Sequence, residues 1–374
     1  MTSGTAPSTG PTADDQRVLS IDALRGFDML WIIGGHGVAF ALLALVFDPI
    51  PESIAYQLYH PDWIGFSAWD MIMPLFLFIV GAAMPFSFAK RRARGQTTPQ
   101  LYRKIIVRTI VLFVLGMVAQ GNLLDWDPAT LHIFSNTLQA IAVGYLFAAI
   151  MLLHLPVITQ VLATAALLVG FWVVLMRVPI PGCEPGILEP QQNLALYIDR
   201  TIFGRFEDGT TYTWVLSGMG FVATVMLGVF AGQLLRSKWS PWMKVFWLTL
   251  LGAGCLGLGW LWQQWLPIIK HLWTSSMVLW AGGFSYLLLA LFYAVIDVIG
   301  WRRWAFPFIV IGANAIAVYM ATHLVNFRHV SDPVVGGLAR HLGAYGEPLQ
   351  EVAALAVIWL ILWYMYRKRT FLRV

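Results

Sequence analysis

Charge is what this sequence has least of. Only 11% of its 374 residues are charged, against about 25% in an ordinary soluble domain. Hydrophobic residues make up 59%, and the mean hydropathy is +0.70. Such a deficit excludes a soluble enzyme, a disordered chain and a nucleic-acid-binding domain. The net charge of +5 does not restore the last of these, because the basic residues form short clusters between long apolar runs. Cysteine is nearly absent. Cys183 falls in a loop and Cys255 inside an apolar run, so no disulfide is expected, and no C-x-x-C offers a redox or zinc site. No N-x-S/T sequon occurs, which favours a bacterial protein over a lysosomal or secretory one. The nucleotide-binding G-x-x-x-x-G-K-[ST], the nucleophile-bearing G-x-S-x-G and the zinc-binding H-E-x-x-H are missing as well.

What is there is a series of apolar segments. Residues 1–16 are rich in Ser, Thr, Gly, Pro and Asp and read as a disordered tail; residues 17–374 read as one transmembrane domain. The fold class expected is all-α, a polytopic helix bundle. Ten spans are predicted, at about 20–46, 67–89, 104–121, 134–154, 157–176, 213–235, 242–266, 272–299, 304–327 and 349–367. Each is long enough for a hydrocarbon layer of about 30 Å. The first is too long for a signal-peptide core and is read as uncleaved. With the N-terminus inside, 18 of the 24 Lys and Arg fall on the inner side and 6 on the outer, which places both termini in the cytoplasm. Eighteen Trp, twelve Tyr and twenty-three Phe suit a chain with many interfacial anchors. No internal repeat is visible.

Polar residues inside the spans mark candidate chemistry, because ionisable groups in a bilayer are costly. The first span carries Asp22, Arg25, Asp28 and His36. On a regular helix Arg25 and His36 share one face, about 16 Å apart along the axis. A structural Asp22–Arg25 pair is the alternative to a ligand role. His60, Trp63 and Asp70 form a second cluster at the outer start of the second span. A histidine near a carboxylate is the pairing that a general base needs; a loop histidine and a helix-start aspartate are the plainer reading. Asn136 and Gln139 open the fourth span, and Ser275 and Ser276 the eighth. Asn314 lies in the ninth, with Tyr319, His323 and Asn326 on one face beyond it. These residues concentrate toward the outer half, as a cavity open to that side requires. Lys90, Arg91, Arg92 and Arg94, with Arg103, Lys104 and Arg108, form the largest basic cluster. Topology and lipid headgroups account for it, and an anionic ligand arriving from the cytoplasm is the functional option. His271, His329 and His341 read as ordinary outer-loop histidines.

Several of these segments resemble the heparan-α-glucosaminide N-acetyltransferase family and its bacterial relatives. The resemblance rests on the opening Ser20-Ile21-Asp22-Ala23-Leu24-Arg25-Gly26-Phe27-Asp28 and on His60-x-x-Trp63-x-Gly65 leading into Asp70-x-x-x-Pro74-Leu75-Phe76-Leu77-Phe78. Leu138-Gln139, Leu272-Trp273-Thr274-Ser275-Ser276 and Gly312-Ala313-Asn314-Ala315-Ile316 follow in the family's order, so the likeness runs from about residue 18 to 327. It implies a transmembrane acetyltransferase that takes acetyl from cytoplasmic acetyl-CoA and gives it to an amine of a sugar on the far side. His60 matches the family's essential histidine. Two departures stand out. Lysosomal members carry Asn near the position of His36, and Arg where this chain has Ala140.

The resulting expectation is a multi-pass acyl-CoA-dependent N- or O-acetyltransferase of a bacterial plasma (inner) membrane. Its catalytic residues would be His60, as general base or acyl carrier, with His36 and Asp70. Acetyl-CoA would meet Arg25, Asp22, Arg91 and Arg92. The acceptor, a sugar or glycan, would meet Asn136, Gln139, Trp63, Ser275 and Asn314. No metal and no nucleic acid are expected; the partners are the lipid bilayer, acetyl-CoA, the acceptor and, as an option, a second copy of the chain. The rival expectation is a carrier or flippase for a glycan or small anion, with Asp22, Arg25, Asp28 and His36 lining its path.

Overall fold

The computed structural model describes residues 18–372, so the expected N-terminal tail lies outside the described residues. The chain is a helical bundle. Its helices are α1 (Leu19–Leu30), α2 (His36–Val46), α3 (Glu52–Leu58), α4 (Ile72–Ala93), α5 (Thr98–Gln120), α6 (Thr137–His154) and α7 (Val157–Arg177), then α8 (Leu194–Phe203), α9 (Gly218–Arg236), α10 (Pro241–Trp262), α11 (Ser275–Tyr293), α12 (Phe306–Ala313), α13 (Ala315–Leu324), α14 (Phe327–His341) and α15 (Gly346–Arg367). Two-residue strands β1 (Leu188–Glu189) and β2 (Gln192–Asn193) pair antiparallel just before α8.

All ten expected segments are helical. Eight are single runs long and apolar enough to cross a membrane, and α12–α13 is a ninth, bent by 64°. The tenth is α5. Its 23 residues are long enough, but Arg103, Lys104 and Arg108 in its first half leave it less apolar than the others. The short helices α3, α8 and α14 were not anticipated.

Helix ends show how local sequence sets these elements. Thr97 and Gln100 form a capping box at the start of α5, and Asn136 and Gln139 form another at α6. Helix α1 borrows its cap from far along the chain. The backbone N–H groups of Leu19 and Ser20 donate to the carboxylate of Asp297, at 3.3 and 3.0 Å. Between α6 and α7 the chain breaks at Leu155-Pro156, where proline cannot continue the helix.

Packing depends on small residues. Helix α4 lies against α9, and α1 against α12. A Cβ on Gly81 would collide with the Val225 carbonyl, and one on Gly228 with the Phe78 carbonyl. With lipid on the outside, close backbone approach of this kind replaces the hydrophobic drive that holds soluble bundles together.

Two departures from regular helix bear on function. A wide π-turn, Trp31–Gly35, separates α1 from α2, with Gly34 at φ 141°. Gly34 is not helical, so the 3.6-residue register expected to carry Arg25 and His36 on one face does not run through this break. The second departure is the end of α13 at Leu324. Asn326 begins α14 instead, capping it through bonds from Arg328 and His329, so Tyr319, His323 and Asn326 do not share one helix face.

Candidate active site

The loop between α3 and α4 carries His60, and a 3₁₀ turn at Trp69–Met71 carries Asp70. Ser67 fixes this turn. Its backbone N–H and its hydroxyl donate to Asp70 Oδ2, at 3.0 and 3.3 Å, and its carbonyl accepts from the Asp70 N–H at 3.1 Å. The other carboxylate oxygen, Oδ1, meets His60 Nδ1 at 2.6 Å. Asp70 is 1% exposed and His60 is 38% exposed. The carboxylate accepts from Nδ1–H, which selects the tautomer with its lone pair on Nε2. His60 thus presents a proton-accepting nitrogen on its accessible side, while its other nitrogen is tied to a buried anion.

Two loops distant in sequence complete the site. The Gly65 N–H donates to the Ile268 carbonyl at 2.9 Å, and Gly65 itself sits at φ 137°, a region closed to most side chains. That bond brings the segment before α11 against the His60 loop. Lys270 arrives with it. Its Nζ lies 3.2 Å from Asp70 Oδ1 and 3.3 Å from His60 Nδ1, with its side chain 9% exposed. Burial pushes the Lys270 amine below its ordinary range, and the neighbouring Asp70 charge opposes that shift. Beside it, His271 Nδ1 meets the Thr211 hydroxyl at 2.7 Å, and its ring lies 4.0 Å from that of Tyr212. Burial, then the Lys270 charge, push the His271 imidazole down to about 4, so it stays neutral. The Tyr212 phenol is pushed up to about 12 by burial and by the Asp70 charge, so it stays a donor.

His36 is near but does not touch this cluster. Its Nε2 lies 2.9 Å from the Leu58 carbonyl and its ring is 4.1 Å from Trp69; the same indole is 6.2 Å from His60. Trp63 donates from Nε1 to the Leu188 carbonyl at 2.7 Å and sets its ring edge-on to His271. The remaining sequence candidates are hydrogen-bonded within the bundle. Asn136 Nδ2 donates to Gln120 and to the Tyr319 hydroxyl, while Gln139 Nε2 donates to the Ile133 carbonyl. The Ser275 hydroxyl donates to the Leu168 carbonyl. Asn314 sits at the bend between α12 and α13, donating to the Thr370 carbonyl and accepting from the Leu372 N–H.

At the other pole, Arg25 pairs with Asp22 at 3.5 Å, and Arg91 Nε donates to Ser87 at 3.3 Å. Arg108 lies over the Tyr145 ring at 4.6 Å, and both Arg25 and Arg91 are close enough to act on its charge. Its buried Nε has no hydrogen-bond partner among the described residues. Arg92 is exposed. Between the poles lies an apolar cavity of about 40 Å³, bordered by Met29, Met73, Phe76, Leu138 and Ile141. Met29 is one turn beyond Arg25, and Met73 one turn beyond Asp70. An open cleft of about 490 Å³, lined by Gly34, His323, Asn326, Arg328 and Glu351, lies beside α2.

Comparison with known proteins bears on this arrangement. Heparan-alpha-glucosaminide N-acetyltransferase of Homo sapiens is 25% identical over 418 residues, covering 96% of this chain and 60% of the human protein. The enzyme of the same name from Mus musculus is 25% identical over 396 residues, covering 89% and 59%. The chain is distantly related to the heparan-α-glucosaminide N-acetyltransferases. It spans about 60% of the length of these curated relatives. No family model matches it.

Lys270, His271 and Tyr212 were not singled out by sequence as site residues. Lys270 had one signal available. A lysine two residues before Leu272-Trp273-Thr274-Ser275-Ser276, in a stretch this apolar, is expensive to bury unless it has a partner. Its partner lies some two hundred residues earlier, which no local pattern reveals.

Proposed function

We propose that the chain is a transmembrane acetyltransferase that accepts acetyl from acetyl-CoA at its arginine-bearing pole and delivers it to an acceptor amine or hydroxyl at His60. The His60–Asp70 pair carries this reading: a half-exposed imidazole, oriented by a buried carboxylate, with Nε2 free. As a base, His60 takes a proton at Nε2 from the acceptor as its nitrogen or oxygen attacks the thioester carbonyl. The intermediate then collapses, and the imidazolium returns that proton to the departing thiolate. As a carrier, His60 Nε2 attacks the thioester carbonyl and the CoA thiolate departs; the acceptor then attacks the acetyl-imidazole, takes the acetyl and yields its proton, which neutralises the thiolate, leaving His60 free. Asp70 stabilises the positive imidazole on either route.

The rest of the bundle supports a two-ended path. Asp70 and Lys90 are twenty residues apart on one continuous helical stretch, about 30 Å, which matches a bilayer core. Arg25, Arg91 and Arg108 supply cations at the first end, and the apolar cavity beside Met29 and Met73 suits a narrow pantetheine arm. The relatives' printed name motivates an amino sugar as acceptor, and the missing sequons favour a bacterial plasma membrane. The test is transfer in proteoliposomes. Radiolabelled acetyl-CoA is supplied on the arginine side and glucosamine on the other. Wild type should yield N-acetylated sugar, and His60→Ala should lose about 10²–10⁴-fold in rate. A folded His60→Ala protein with undiminished transfer would overturn the reading.

A further inference from the structure

We propose that Lys270 is a positioning residue for the transfer reaction. Its ammonium holds the Asp70 carboxylate in place and offsets part of that carboxylate's charge, which favours the neutral, proton-accepting form of His60 between turnovers while leaving Asp70 able to stabilise the imidazolium that forms during transfer. The proposal rests on the reading of His60 as base or acyl carrier given above.

Geometry carries it. Asp70 Oδ1 receives both His60 Nδ1, at 2.6 Å, and Lys270 Nζ, at 3.2 Å. One oxygen thus serves an imidazole and an ammonium at once. Without a counter-charge, the buried Asp70 carboxylate favours a second proton on the imidazole it faces. An imidazolium has no lone pair at Nε2 and can neither accept a proton nor attack a thioester. A protonated Lys270 partly offsets the carboxylate, so Asp70 still orients Nδ1–H without fixing a resting cation. Lys270 also cannot donate to a protonated Nδ1, so its 3.3 Å approach to that atom is charge against ring, and its hydrogen bond goes to Asp70. Its backbone is fixed independently of the ion pair. The Lys270 carbonyl accepts from the Trp273 N–H at 3.0 Å, in a turn where Trp273 adopts φ 53° and bonds Thr224 through its indole.

Charged and titratable groups approach His60 from several elements, with Tyr59 and Asp62 in its own loop. Asp70 faces it from the start of α4. Lys270 and His271 come from the loop before α11. Tyr212, from the loop before α9, stacks on His271, and His36 stands behind Trp69 on α2. Changing Lys270 alone leaves the others in place.

The protonation state of His60 can be read without any acceptor. Diethylpyrocarbonate carbethoxylates neutral imidazole, and the modified His60 peptide can be quantified by mass spectrometry across a pH series on the detergent-solubilised protein. Two neutral variants are used. Lys270→Met removes charge and hydrogen bond together; Lys270→Gln removes the charge but keeps a donor toward Asp70. In both, the pH of half-maximal His60 reactivity should rise by about one unit or more, as expected for losing a unit charge 3–4 Å away at a partly exposed site. Lys270→Arg should stay near wild type. In the proteoliposome assay the neutral variants should lose far more transfer at pH 6 than at pH 8.5. An unmoved reactivity midpoint in a folded neutral variant overturns the role of Lys270 and leaves His60 as base or carrier untouched. Retained transfer in His60→Ala overturns the function reading instead, whatever the carbethoxylation series shows.

Discussion

Asp70 holds more of the site together than any other residue. It accepts from the Ser67 backbone and hydroxyl on one oxygen and faces His60 and Lys270 with the other. Asp70→Asn preserves shape but removes the charge that stabilises a positive imidazole. Transfer should fall about 10²–10⁴-fold while acetyl-CoA binding, measured by calorimetry, stays near wild type. His36 should behave differently. Its Nε2 bonds the Leu58 carbonyl and touches neither His60 nor Asp70 among the described residues; a glutamine amide reaches about as far as Nε2 and can donate there, so His36→Gln should keep transfer within about tenfold of wild type. His271 makes a third case, through stability. Its folded form titrates at about 4 against 6.5 for a free imidazole. Between those values the unfolded chain binds a proton and the folded chain does not. Folded-state stability should therefore fall as pH drops from about 6.5 toward 4. Melting temperatures of the solubilised protein over that range should decline less steeply in His271→Gln than in wild type.

At the scale of elements, backbone contact between helices is the vulnerable feature. Gly81 on α4 and Gly228 on α9 each face a carbonyl of the other helix. Gly228→Leu would drive a side chain into the Phe78 carbonyl in the interior, and α4 carries the turn that holds Asp70. The expected outcome is loss of monodisperse protein on size exclusion, whereas Gly254→Leu, on α10 with open space around it, should be tolerated. Elements also separate what the sequence discloses from what it hides. The ten hydrophobic segments were legible because a bilayer demands a fixed length of apolar chain, and that demand is written locally. The His60–Asp70 pair, ten residues apart across one helix start, was legible as an option, but the residues alone favoured a loop histidine and a helix-start aspartate. The π-turn at Trp31–Gly35 was not legible, because glycines permit such a turn without dictating it. Nor was the bend at Asn314, which depends on bonds to Thr370 and Leu372 near the far end of the chain. The assembly of Lys270, His271 and Tyr212 around His60 depends on loop contacts such as that from Gly65 to Ile268, which are tertiary and leave no periodic trace.

At the scale of the whole molecule, the proposed chemistry has a direction, and direction requires that the two poles face different compartments. The helix from Asp70 to Lys90 fixes the separation of the poles, but the sidedness follows only from the distribution of Lys and Arg. The chain contains its own reporter of sidedness. Cys183 lies in the α7–α8 loop, five residues before Leu188, whose carbonyl binds Trp63, and so belongs to the His60 pole. Cys255 lies within α10, among the apolar spans, and can be replaced by serine to leave a single thiol. In intact cells a membrane-impermeant maleimide should then label Cys183 from outside. A second protein, also without Cys255 and carrying Cys183→Ser with Arg94→Cys in the exposed turn after α4, should label only after permeabilisation. Under the proposed function the donor is acetyl-CoA, which its charge holds in the cytoplasm, so that proposal requires the Arg25–Arg91–Arg108 pole to face inward. If Cys183 is protected in intact cells while the Arg94→Cys protein reacts, His60 faces the cytoplasm and transfer across the bilayer fails as the function of this fold.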